Sequence, residues 1–187
     1  MAVLAGIAIG RLRGGRLANL TGLAPRWMPL LVLGVAAVTA ARIAVVPVGA
    51  ARVLVTGGYL LALAGLAANL RLPWLWLALA GAALNTAVIA ANGGRMPVSA
   101  RVIREVARHL VLGGTTGPFY VLAGPRTALA ALGDTLPLVV GTAGVILSPG
   151  DVLLALGIAA TLQAGMLAAR VETEHVSLPE GNGERPD

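Results

Sequence analysis

Two carboxylates hold the chemistry that this sequence offers. Asp134 stands in "LGDTLPL" and Asp151, 17 residues on, in "SPGDVLLALG". Each lies in a loop beside a strongly apolar run. Two carboxylates held close in a poorly hydrated cleft cannot both ionise cheaply. One keeps a proton while the other activates water, the division of labour of an aspartic protease. That chemistry requires no thiolate, serine triad or metal. The chain has no Cys, which excludes disulfides and cysteine nucleophiles. Its two His, His109 and His175, are far apart, so neither a metal site nor a cofactor is expected.

Each candidate also has a purely structural explanation. Ser148-Pro149-Gly150-Asp151 fits S-x-x-D ahead of an apolar run, a capping box with Pro at the first helical position. An acid there also meets the positive end of the helix dipole. Asp134 follows Gly133 and suits an Asx turn. Asn85 and Asn92 are seven residues apart and share a helix face. The first suits hydrogen bonding between helices, the second helix termination. Arg95 is the further polar candidate, in "NGGRMPVS", where Met96 and Pro97 fix a turn. His109, four residues after Glu105, suits a surface pair.

The elements that must position these residues are those of a membrane protein. The chain is 57% hydrophobic and 12% charged, with a mean hydropathy of +0.85. A soluble domain of this length needs far more polar surface. All 14 basic residues are Arg and the net charge is +6. Nucleic acid is not the expected partner, since one Phe and two Tyr offer little for base stacking. Arginines beside apolar runs serve topology and anionic headgroups first.

The reading is an all-α integral membrane fold, a bundle of four to five transmembrane helices with one amphipathic interfacial helix. Spans are expected at about 27–47, 53–68, 73–91 and 152–169. Residues 1–10 make a short apolar piece that reads as a span truncated by a late start, and 11–26 a basic surface loop. "PVGAAR" reads as a turn. Within the surface segment 93–147, "SARVIREVARHLVL" is amphipathic. It sets Val102, Ile103, Val106 and Leu110 against Arg101, Arg104, Glu105 and Arg108, with Ser99 as N-cap. "PRTALAALGD" suggests a short helix, and "TLPLVVGTAGVILSPG" an apolar loop or re-entrant piece. One transmembrane domain then covers 1–170, and 171–187 is a disordered acidic tail. The Arg11 loop and the tail are assigned inside, and 93–146 outside.

Four stretches, "RGGRLANL" (13–20), "LNTAVIAANGGRMPV" (84–98), "LGDTLPL" (132–138) and "SPGDVLLALG" (148–157), resemble an uncharacterised family of bacterial multi-pass membrane proteins. The resemblance implies the bacterial cytoplasmic membrane and carries no known activity. The placing of Asp134 and Asp151 is also similar to lipoprotein signal peptidase (signal peptidase type two). There one catalytic Asp lies in a loop and the second opens the last span. This chain departs from that pattern: Ser148-Pro149-Gly150 replaces the family's Asn-containing stretch, and no N-x-x-D-R lies upstream.

Two functions follow as expectations. The first is a membrane module whose surface segment meets lipid, anionic headgroups or another membrane protein. The alternative is an aspartic peptidase-like hydrolase using Asp134 and Asp151 at the membrane surface.

Overall fold

The computed structural model describes residues 2–43, 47–107, 119–140 and 143–176. Helices are α1 (Ala2–Leu12), α2 (Met28–Ile43), α3 (Val48–Ala67), α4 (Leu75–Ala91), α5 (Ala100–Ala107) and α6 (Pro149–Val176). Strands β1 (Met96–Val98) and β2 (Tyr120–Leu122) pair in parallel, and β3 (Leu136–Val140) and β4 (Ala143–Leu147) in antiparallel fashion.

Among the described residues two helices, α3 and the Pro149–Ala168 part of α6, are long and apolar enough to cross a membrane. A 3-10 helix, Leu17–Leu23, joins α2 through a bend of 105°, and this pair makes a third candidate if it is one span. Helices α1 and α4 are apolar but shorter. With 17 residues, α4 is about 25 Å long.

Small residues set the helix contacts. Gly34 of α2 and Gly58 of α3 lie face to face, and a Cβ on either would strike the other's carbonyl oxygen. A Cβ on Gly157 of α6 would strike the Ala78 backbone of α4, and one on Gly81 the Gly150 carbonyl. On α1, Gly6 lies against Ala159 and Gly10 against Met166. Without side chains between them the backbones approach closely, and dispersion contacts replace the missing hydrophobic drive. The thread of the chain places the end of α4 and the start of α6 beside both small sheets.

The all-α expectation needs correcting. The segment read as an apolar loop or re-entrant piece is the β3–β4 hairpin, in register from Leu136↔Leu147 to Val140↔Ala143. Pairing satisfies backbone groups that an apolar loop would leave unbonded. "PRTALAALGD" forms turns and a three-residue 3-10 helix, Ala130–Leu132, in place of a short helix. "VGAAR" belongs to α3, which starts just after Pro47 rather than at 53; Pro lacks a donor that the helix start can spare. Helix α6 begins at Pro149 and runs to Val176, past the expected boundary at 170. Residues 177–187 of the expected tail lie outside the described residues.

The basic 11–26 stretch is docked on α6. The Arg16 backbone N–H and the Asn19 amide both donate to the Met166 carbonyl, at 3.1 and 2.7 Å. Helix α5 divides as its periodicity suggests: Val102 and Val106 are buried, whereas Arg101, Arg104 and Glu105 are exposed. The expected continuation of that helix, with Arg108, His109 and Leu110, lies outside the described residues.

Candidate functional site

The start of α6 is fixed by reciprocal hydrogen bonds. The Ser148 backbone N–H donates to Asp151 Oδ2 at 2.9 Å, and the Asp151 N–H donates to Ser148 Oγ at 3.0 Å. This is a capping box, with Asp151 in the role usually held by Glu. The Ser148 hydroxyl then donates to Asn85 Oδ1 at 2.8 Å, and Asn85 Nδ2 donates to Asp151 Oδ1 at 2.7 Å. One Asn on α4 thus closes a ring through both capping residues of α6. Gly150 makes the approach possible, since a Cβ there would overlap the Asn85 side chain. Both oxygens of Asp151 are engaged in holding the helix start.

Asp134 is placed differently. A Cβ on Gly133 would strike the Pro97 carbonyl, so this chain crossing requires glycine. Asp134 N–H then donates to Pro97 O at 2.8 Å, and Ser99 N–H donates to Asp134 O at 3.1 Å, forming a parallel bridge to Val98. The backbone is fully paired, while the side chain is buried. Among the described residues no hydrogen bond meets the Asp134 carboxyl, and none joins it to Asp151. Burial, and then the negative charge of Asp151, push the Asp134 carboxyl up to about 7, against an opposing pull from Arg42. Lost hydration disfavours the carboxylate, and a like charge adds to that.

Aromatic and cationic groups surround this acid. The Arg42 guanidinium lies 6.0 Å from the Tyr120 ring centroid, at the outer limit of cation–π attraction. Tyr59, from the middle of α3, lies within electrostatic reach of Arg42, Asp151, Tyr120 and Asp134. Tyr59 also packs on Val88, Ile89 and Met96. Five residues from α2, α3, β2, the 132–135 loop and α6 therefore converge at one end of the bundle. The arrangement can hold or exchange a proton at Asp134. It can also accept a donor group there, beside a fixed negative charge at Asp151.

Asn92 closes the edge of this region. Its Nδ2 donates to Val88 O at 2.8 Å and Ala128 O at 2.9 Å, and its Oδ1 accepts from Ala128 N–H at 3.2 Å. It ends α4, as its position suggests, and also clamps a loop 36 residues away. Arg95 follows it with Nε buried and unpartnered among the described residues, as is Arg52 Nε.

The structure brings together Asp134, Asp151 and Asn85 of the candidates read from the sequence, with Asn92 at the border. Sequence reasoning passed over Tyr59, Tyr120 and Arg52. A lone phenol within or beside an apolar stretch, or a lone guanidinium near the start of one, was the available signal. His109 lies outside the described residues. Among the described residues no group of three or more His, Cys, Asp or Glu is arranged to hold a metal ion.

Residues 23–163 match the model of DUF5317, a family of unknown function. The match covers most of the chain, and the protein belongs to that family. No curated protein and no solved structure matches it.

Proposed function

We propose that this DUF5317 member is a multi-pass protein of the bacterial cytoplasmic membrane that receives a lipid or another membrane protein at the Asp134 end. Helices α2, α3, α4 and α6 are its four spans and α1 a shorter fifth. The apolar character of all five helices supports that count. The amphipathic α5 and the hairpin cover the outer face, and the Arg11 side is cytoplasmic. One observation carries the binding role. Arg52 Nε and Arg95 Nε are buried at this end with no partner among the described residues, and the side chain of Asp134, a buried residue, makes no hydrogen bond among them. A buried polar group left unbonded costs about 1–3 kcal/mol, and a molecule supplying the missing partner recovers that energy.

A photo-crosslinking residue at Leu122, which is 60% exposed, tests this in cells. The expected product is a lipid or membrane-protein adduct that is lost in the Arg95→Gln, Asp134→Asn double variant. The same adduct in wild type and double variant overturns the reading.

A second reading rests on the elevated Asp134 pKa beside Asp151. In an aspartic hydrolase Asp134 is the proton-holding acid and Asp151 the carboxylate that activates water at a membrane-embedded peptide, similar to lipoprotein signal peptidase. Asp151→Asn keeps an acceptor for the Ser148 N–H and removes the acid. Cleavage of a membrane-embedded peptide in proteoliposomes should then vanish in both Asp134→Asn and Asp151→Asn. Full activity in either one removes this reading.

A further inference from the structure

Helix α3 carries a groove whose head is cationic and whose length is apolar. Its upper part, about 510 Å³, runs between α3 and the end of α4, with Arg52, Thr56, Gly57 and Gly94 in its wall. Its continuation, about 500 Å³, passes over Gly57 to Leu60 and Leu61 and is apolar. Both parts share Val53, Gly57 and Leu60. The spacing i, i+4, i+7 puts these three on one helix face. From Arg52 to Leu61 the helix rises about 13 Å.

We infer that this groove seats one anionic phospholipid, with its phosphate at Arg52 and an acyl chain along α3 over Gly57. Three features select this occupant. First, Arg52 lies in the opening turns of α3, at the level where headgroups meet a spanning helix. Its stem packs on Gly94, and its Nε is buried without a protein acceptor among the described residues. The terminal nitrogens of the guanidinium, at the head of the groove, are matched by a phosphate, which accepts two parallel hydrogen bonds from them. Thr56, one turn below, adds a hydroxyl. Secondly, among the described residues no acidic residue lines either part of the groove, so the field they set at its head is one-signed. Thirdly, a Cβ on Gly57 would meet nothing within 4 Å. The backbone is bare there and leaves a channel, while Val53 and Leu60 beside it are 73% and 56% exposed. Those side chains suit contact with acyl chains.

The inference rests on the broader reading that this end receives a lipid or membrane protein, and it names the class and the place. Native mass spectrometry of the full chain from micelles, titrated with phosphatidylglycerol and with phosphatidylcholine, tests it. Wild type should retain one phosphatidylglycerol about tenfold more strongly than phosphatidylcholine, because the choline cation of the latter offsets its phosphate charge and is repelled by the cationic head of the groove. Arg52→Gln should bring phosphatidylglycerol down to the phosphatidylcholine level. Gly57→Leu should weaken both lipids. Gly49→Leu, on the same helix and also facing open space, should weaken neither. Equal retention of the two lipids by wild type overturns the inference, as does unchanged preference in Arg52→Gln. If that preference is unchanged while the Leu122 adduct still depends on Arg95 and Asp134, the groove assignment fails and the broader reading stands. Loss of both results removes both.

Discussion

The two ends of the bundle treat buried polar groups in opposite ways. At the end where α3 leaves and α4 enters, Asn69 is 1% exposed and its amide is fully used. Its Oδ1 accepts from Arg26 N–H at 2.6 Å, and its Nδ2 donates to the carbonyls of Arg26 and Gly65 at 2.6 and 2.7 Å. The Arg71 guanidinium donates to the Ala24 carbonyl, and Thr161 to Pro73 O at 2.8 Å. All three Trp stand at this end, more than half exposed, as residues of a membrane–water interface do. At the other end Ser148, Asn85 and Asp151 are equally well bonded. The same end holds two buried guanidinium nitrogens with no partner among the described residues and Asp134, a buried residue whose side chain makes no hydrogen bond among them. A fold spends stability on such groups where they meet something outside the chain. On the proposed function, the contrast separates an end that anchors the bundle from one that makes contact with another molecule.

The sharpest way to break this contrast is at Asn69. Asn69→Ala leaves the Arg26 N–H and two carbonyls without their side-chain partner. At about 1–3 kcal/mol for a buried group left unbonded, the expected loss is about 3 kcal/mol. Thermal or SDS-titrated unfolding in micelles measures it. A loss below about 1 kcal/mol means that the site readily rehydrates, and the end is then no anchor.

Asn69 also marks where sequence reading stops. In "NLRLP" it reads as a turn residue, and its partner Arg26 is 43 positions away. Composition and capping chemistry act over a few residues. For that reason the helical course of the chain and the Ser148–Asp151 box were legible, and Asn85 and Asn92 could be singled out as polar residues on an apolar face. The β3–β4 hairpin was legible in principle: two five-residue runs rich in Val and Leu flank Gly141-Thr142, a turn-like break between strand-forming runs. Its apolar continuity made it look like a re-entrant piece. Nothing local shows that Gly133 must slide against Pro97, or that Tyr59 lies near Asp134. Those meetings depend on how α3 and α4 cross, which Gly and Ala permit without specifying.

At the other end, the contrast predicts a pH response that the anchor lacks. The Asp134 carboxyl is raised from 3.8 to about 7 in the folded protein. Below pH 3.8 both folded and unfolded chains hold this proton, and its burial is not opposed by charge. As pH rises from there to about 7, the unfolded chain gives up the proton first. Stability therefore falls across this window and levels off above it. Asp134→Asn mimics the protonated acid and should flatten this part of the profile, raising the unfolding midpoint at pH 8 by roughly 2–4 °C. Unfolding midpoints between pH 4 and 8 provide the check. Parallel wild-type and variant profiles mean that Asp134 is already hydrated, and the unpartnered end then loses its most important member.

The smallest expected effect is the most discriminating. Arg95→Met keeps most of the stem, one residue before β1, and removes the guanidinium. If the Nε has no protein partner, as among the described residues, nothing is left unbonded by its removal. The stability of the purified protein should then change by no more than about 0.5 kcal/mol, or rise slightly because a buried donor has gone. The same substitution should lower the yield of the Leu122 adduct in cells. Stability and contact thus separate at one residue, whereas at Asn69 they cannot. A loss above about 1 kcal/mol in detergent means that Arg95 is bonded within the protein. The two ends would then differ in their aromatic residues and charge, and no longer in what they leave open for another molecule.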